Sequence, residues 1–298
     1  MKTRRFFLWL LLSLQTGTAW SGEQTNLNAL VPDLVVPKVV RQTAAAGRRV
    51  EAATTGWEGT QVRHALYLPR NWRPGAKLAV LVEYPGNGGF RNKLGDVSDG
   101  TVEGCALGYG LSGGDGYIWV CLPFVELAAD GTKRNCTTWW GDMGETKRYC
   151  MATVREVCAR YDGDASRVVL CGFSRGSIAC NYIGLNDDEI AGLWRAFFCH
   201  SHYDGVRVWA YADSDAAAAT RRLRRLGSRE QWISHEGSVL ETRRFIERSG
   251  VRAPFTFVPI PYANHTASWV LRDIPARQQA RDWLARVTRL PLIPRSSP

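Results

Sequence analysis

Short, nearly continuous apolar runs alternate along this chain with stretches in which apolar residues recur at helical spacing. Leu78 to Glu83 is the clearest run of the first kind; Val62 to Leu68, Tyr117 to Leu122, Val168 to Cys171, Ala196 to Cys199, Gln231 to Ser234 and Phe255 to Ile260 share its form. Glu145 to Tyr161 is the clearest of the second kind, with Met151, Val154 and Val157 on one face. Ser177 to Tyr182, Ala216 to Leu226, Val239 to Ser249 and Ala276 to Leu290 also read as helices, and Gly250 suits a C-terminal cap. Strands without polar alternation must be covered on both sides. The pattern therefore predicts an α/β domain, with a mostly parallel central sheet and helices on both faces. Residues 22–55 carry no clear period and read as an N-terminal leader segment that packs late or loosely. No repeat or linker divides residues 56–298, which read as a single domain.

The first residues have a different character. Lys2, Arg4 and Arg5 precede an apolar run, Phe6 to Leu14, too short to span a bilayer, and Ala19-Trp20-Ser21 offers small residues at a cleavage site. Residues 1–21 read as a signal peptide, which places the mature protein in a secreted or periplasmic location with no stable membrane insertion. The formal net charge of +10 is spread along the chain, and its densest cluster, Arg221-Arg222-Leu223-Arg224-Arg225, falls on a predicted helix. A solvated helix face explains it better than a patch for an anionic polymer or surface, and no nucleic-acid partner is expected. The eight cysteines of an exported chain permit up to four disulfides. Cys136 and Cys150, flanking a loop, are the expected pair. Cys121, Cys171 and Cys199 lie on predicted core strands, where buried free thiols are the alternative.

Chemistry enters at Gly172-Phe173-Ser174-Arg175-Gly176. An apolar strand precedes it and a helix follows, the context in which G-x-S-x-G forms a nucleophile elbow. In open α/β sheets ligands bind at the carboxyl ends of the strands. Those ends carry Tyr84 to Gly89, Phe124, Ser174, His200 to Asp204, His235-Glu236 and Ala263-Asn264-His265. Four of the five histidines fall in this set; only His64 does not. Ser174 needs a general base, and His265, between the last strand and the closing helix, is the expected one. His200, His202 and His235 fit substrate contact or support better. The carboxylate that orients the base is expected after the penultimate strand at Glu236, with Asp204 as runner-up and Asp213 and Asp215 after it. Oxyanion donors are expected from the amide of Arg175 and from the loop Gly86-Asn87-Gly88. The spacing His200-Ser201-His202-Tyr203-Asp204 also resembles a metal site, but a serine mechanism needs no metal and no cofactor. Trp139 and Trp140 could stack on a sugar ring or an aromatic acyl group, or could pack their loop onto the domain. Trp119 and Trp269 read as core.

The run Tyr161-Asp162-Gly163-Asp164-Ala165-Ser166-Arg167-Val168-Val169-Leu170-Cys171 leading into the elbow resembles the centre of α/β-hydrolase esterases. More narrowly, it is similar to secreted polyhydroxybutyrate depolymerases, feruloyl esterases and acetylxylan esterases. Leu66-Tyr67-Leu68-Pro69 is similar as well. The likeness follows the order of elements over roughly residues 60–290, and only the elbow region is specific. Two positions depart from the pattern: Tyr84-Pro85-Gly86 stands where His-Gly is usual, and His235-Glu236 replaces the usual Gly-x-x-Asp. The resemblance implies an α/β-hydrolase fold and ester hydrolysis through an acyl-enzyme. The expected protein is an exported serine esterase acting on a small-molecule or polymer-linked ester, with acyl groups on carbohydrates preferred. An acyltransferase using the same triad and a binding protein with a degenerate site are the alternatives.

Overall fold

The computed structural model describes residues 25–289, so the expected signal peptide lies outside the described residues. The central sheet has eight strands: β1 (Arg49–Ala52), β2 (His64–Tyr67), β3 (Leu78–Tyr84), β4 (Tyr117–Cys121), β5 (Gly163–Phe173), β6 (Ala196–His200), β7 (Glu230–Glu236) and β8 (Phe255–Ile260). Their spatial order is β1-β2-β4-β3-β5-β6-β7-β8. β1 pairs antiparallel with β2, and β2 antiparallel with β4; every pairing from β4 to β8 is parallel. The connections carry helices α1 (Leu107–Ser112), α2 (Met143–Arg160), α3 (Arg175–Tyr182), α4 (Asp188–Ala191), α5 (Ala216–Leu223), α6 (Leu240–Ser249) and α7 (Pro275–Val287).

Successive strand residues point to opposite faces, so each continuous apolar run feeds two cores. Val80 and Val82 of β3, and Val168 and Leu170 of β5, pack with α2, α3, α5 and α6 through Val154, Ile178, Leu223 and Phe245. Leu81, Val169 and Phe198 face the other way, against Leu107 of α1 and Trp283 and Leu284 of α7. Trp119 and Trp269 are buried there, as core residues.

The N-terminal region departs from the expected leader. Arg49–Ala52 is the outermost strand of the sheet, too short to show a period, and Leu27 is buried. Asp33 pairs with Arg277 of α7 at 2.6 Å. The cysteines also depart from expectation: all eight are free. Cys136 ends a hairpin strand (Lys133–Cys136), and its thiol donates to the Thr138 carbonyl at 2.9 Å, whereas Cys150 is buried in the core on α2. Cys121, Cys171 and Cys199 are the buried free thiols of the alternative reading.

The basic cluster is divided. Arg221 and Arg224 are exposed, while Arg222 turns inward and donates twice to Asp204, at 2.8 and 3.0 Å. Both partners are buried. Removing one charge of such a pair strands the other without water. Arg222→Met is expected to lower stability by about 3–5 kcal/mol, measured by denaturant unfolding; an unchanged midpoint would contradict the pairing.

Candidate active site

β5 ends at Phe173 and α3 begins at Arg175, leaving Ser174 alone in the turn with φ 53° and ψ −114°. This is a strained conformation for a residue with a side chain, and it persists only where the surroundings hold it. The Ser174 amide donates to the His200 carbonyl at 3.0 Å, and the Ser174 carbonyl accepts from Ile178 at 3.1 Å. The flanking glycines are needed for close approach. A Cβ at Gly172 would lie 2.1 Å from the Gly176 carbonyl oxygen, and one at Gly176 would lie 2.0 Å from that of Tyr84.

His265 sits in the loop after β8, ahead of the turn Ala267–Leu271. Its Nε2 accepts from Ser174 Oγ at 3.0 Å, and its Nδ1 donates to Glu236 Oε1 at 2.5 Å. Glu236 is the last residue of β7. Ser201 Oγ donates to the same carboxylate oxygen at 3.1 Å and lies 3.1 Å from His265 Nδ1. Burial raises the Glu236 pKa, but the hydrogen bond from His265 and the neighbouring imidazoles outweigh it, holding the carboxyl well below its usual range. Serine, imidazole and carboxylate thus form one hydrogen-bonded relay.

The relay opens into a cleft of about 440 Å³ lined by Phe90, Trp139, His202 and Trp209 together with Ser174 and His265. The Trp139 and Trp209 rings are 5.5 Å apart, and Phe90 stands edge-on to His265 at 4.8 Å. The Trp139 turn is tied down on both sides: its amide donates to Asn87 Oδ1 at 2.7 Å, and its carbonyl accepts from the Arg175 guanidinium at 2.6 Å. Asn87 and Arg175 both line the cleft, and among the described residues their backbone amides donate to no protein group.

No family model and no curated protein matches the chain. Solved structures do. A structure from a study of two fungal esterases of Rhizomucor miehei aligns with a TM-score of 0.53 and 14% identity, over 82% of this chain and 84% of that one. Thermogutta terrifontis esterase 2 aligns at 0.51 and 14%, over 78% and 90%. A putative dipeptidyl aminopeptidase IV from Bacteroides ovatus aligns at 0.54 and 14%, over 80% of this chain but only 35% of that protein. The chain has an α/β-hydrolase fold.

Within this fold the remaining expected residues separate. Asp204 does not reach His265: it is held by Arg222, and burial pushes its carboxyl up to about 6. Asp213 offers its carbonyl to Arg222, and Asp215 caps α5 by accepting from Ala217 and Ala218. His200 is not a substrate contact. It is buried against Phe173 and Trp269, accepts from Ser234 Oγ at Nδ1, donates to the Thr266 carbonyl at Nε2, and is pushed down to about 4 by burial. His202 does line the cleft, and burial holds it down at about 4. His235 lines an adjoining pocket that shares His202 and Trp209 with the cleft, and donates to the Glu236 carbonyl at 2.8 Å. Trp140 is buried among Phe124, Tyr182 and Tyr211, so only Trp139 of the expected pair meets the cleft. Gly88 is no oxyanion donor, because its amide is spent on the Thr137 carbonyl at 2.8 Å, and Gly86, unlike Asn87, is not among the residues that line the cleft.

The metal-like spacing also dissolves, since His200 and Asp204 point into separate bonded networks. Among the described residues, the group close enough to hold a metal is Glu83 with Cys105 and Cys121. Its carboxylate already accepts from the amides of Ala106, Leu107 and Gly108 and from Trp119 Nε1, while Arg49 lies 3.3 Å from Cys121 Sγ. A cation there would displace these bonds and meet the guanidinium.

Sequence reasoning missed Ser201, Trp209 and Phe90. Ser201, at φ 80°, lies between the two histidines already singled out. Trp209 belongs to an aromatic pair with Tyr211 in the long connection after β6, and Phe90 follows the glycines of the 86–89 loop. Each carried a legible residue type without a local pattern to place it.

Proposed function

We propose that this chain is an exported serine hydrolase of carboxylic esters. The observation that carries the reading is the relay from Ser174 Oγ through His265 to Glu236, opening on a cleft. His265 Nε2 takes the Ser174 proton as Oγ attacks the ester carbonyl, and Glu236 stabilises the imidazolium that forms. The amides of Arg175 and Asn87 receive the developing oxyanion. His265 then gives its proton to the leaving alcohol. Water, deprotonated by the same imidazole, attacks the acyl-enzyme; collapse of the second intermediate releases the carboxylic acid and returns the proton to Ser174.

Export rests on the basic and apolar pattern of residues 1–21. The neighbouring indoles of Trp139 and Trp209, tilted by 57° to each other, offer apolar surfaces to a ring, which supports acyl esters on carbohydrates as the substrate class. A fluorophosphonate probe tests the activity: wild type is expected to be labelled at Ser174 and to hydrolyse acetylated sugars in preference to short-chain polyesters. A folded chain that never labels would overturn the reading, and the reverse substrate preference would overturn the substrate class.

A further inference from the structure

β8 ends at Ile260, so no sheet ladder holds the loop that carries His265. A buried polar node holds it instead. Asp96 and Asn264 are both almost fully buried. Asp96 Oδ2 accepts from the His265 backbone amide at 2.9 Å and from Asn92 Nδ2 at 2.7 Å. Asp96 Oδ1 accepts from Asn264 Nδ2 at 2.8 Å. Asn264 Nδ2 also donates to Asn26 Oδ1 at 3.0 Å, and Asn264 Oδ1 accepts from the Leu27 amide at 2.6 Å. The N-terminal segment continues across the same loop: Asp33 and Leu34 donate to the Leu271 carbonyl, and Arg272 Nε donates to that of Leu30. The loop containing Asp96 also supplies Phe90, whose ring stands against the His265 imidazole.

We propose that Asp96 and Asn264 are positioning residues for His265, and that residues 26–34 strap them in place. The inference rests on the serine-hydrolase reading. Ser174, Glu236, Phe90 and Phe173 touch the imidazole ring itself, while the node holds the backbone from which that ring projects. Misplacing a reacting group by about 1 Å costs about 10²-fold in rate.

The node is polar in a defined sense, which permits a swap. Asp96→Asn sets an amide N–H against either the Asn264 or the His265 donor. Asn264→Asp sets two carboxylates together. With both substitutions, the amide now at position 96 donates to the carboxylate now at position 264, which restores the bond in reverse. The side-chain oxygen at position 96 still accepts from the His265 amide, and the carboxylate at position 264 still accepts from Leu27; the bond to Asn26 is lost, so the recovery is partial.

The test is the rate of fluorophosphonate labelling, with kcat and KM on one ester and the downfield proton resonance of the His265–Glu236 hydrogen bond. Each single variant is expected to slow labelling and lower kcat by ~10–100-fold with little change in KM, and to shift the resonance. The double variant is expected to recover about tenfold. Leu27→Pro removes one donor from the strap and shortens a buried side chain, at a position whose backbone accepts proline, since Asn26 is extended (φ −72°, ψ 118°) as a residue before proline prefers. It is expected to slow labelling several-fold even if the single variants at the node fail to fold. If wild type labels and the folded variants, Leu27→Pro among them, label at its rate, the inference is overturned. If folded wild type does not label at all, the serine-hydrolase reading falls first and takes the inference with it.

Discussion

Ser174→Ala is expected to fold as the wild type does and to lose ~10³–10⁶ of kcat on any ester the wild type hydrolyses. The fold should survive because the elbow is held by backbone bonds, from the Ser174 amide to His200 and from Ile178 to the Ser174 carbonyl, that alanine keeps. Alanine also carries the same Cβ in the same strained turn, so the substitution adds no backbone cost. Among the described residues the hydroxyl itself bonds only to His265 Nε2, at 3.0 Å. Circular dichroism should be unchanged, labelling should vanish, and turnover should fall to the level that cleft binding and the oxyanion amides sustain alone. Near-normal turnover by this variant would end the serine mechanism.

Glu236→Gln is expected to cost ~10⁴ in kcat, the scale of replacing the carboxylate that orients a catalytic imidazole by its amide. An amide N–H facing His265 Nδ1 favours the tautomer that places the proton on Nε2, where it blocks proton transfer from Ser174. Asp204→Asn, by contrast, should cost stability and spare kcat in the folded fraction, because Asp204 bonds to Arg222 and not to the relay. A larger kcat loss in Asp204→Asn would reverse the assignment. A pH dependence follows with a defined sign. The Glu236 carboxyl lies below its ordinary value in the folded protein, so the stability it contributes is fully present above the unfolded value, about 4.3, and is lost as pH falls through the folded value. The stability difference between wild type and Glu236→Gln should therefore shrink as pH falls below about 4. A difference that grows on acidification would contradict the carboxylate's depressed pKa.

The strands that proved easiest to read, β3 and β5 among them, are buried on both faces, which forces an unbroken apolar run whatever lies beyond. β1 was hidden because an edge strand of four residues needs little apolar surface, and Arg49 within it is buried by bonding to carbonyls around α1 rather than by patterning. The short helix α1 was missed for a related reason: two glycines in Leu107–Ser112 weaken the helical signal. Cys136 and Cys150 looked like partners because a loop joined them, but the direction of Cys150 is set by the face of α2 that meets the core.

The elbow shows what sequence alone determined here. Strand, G-x-S-x-G and helix are contiguous, so the position of Ser174, a hydroxyl that stands clear of the sheet and the need for both glycines follow from local geometry. The sheet's parallel character and the gathering of histidines at its carboxyl edge followed from periodicity in the same way. Tertiary structure decided which carboxylate meets His265, which of His200 and His202 faces the cleft, and which of two adjacent tryptophans lines it. It also decided that a segment near the N-terminus braces a histidine more than two hundred positions away, through Asp96 and Asn264. Those choices depend on distances between strand ends far apart in the chain, set by the packing of every intervening element, and a local pattern carries no record of them.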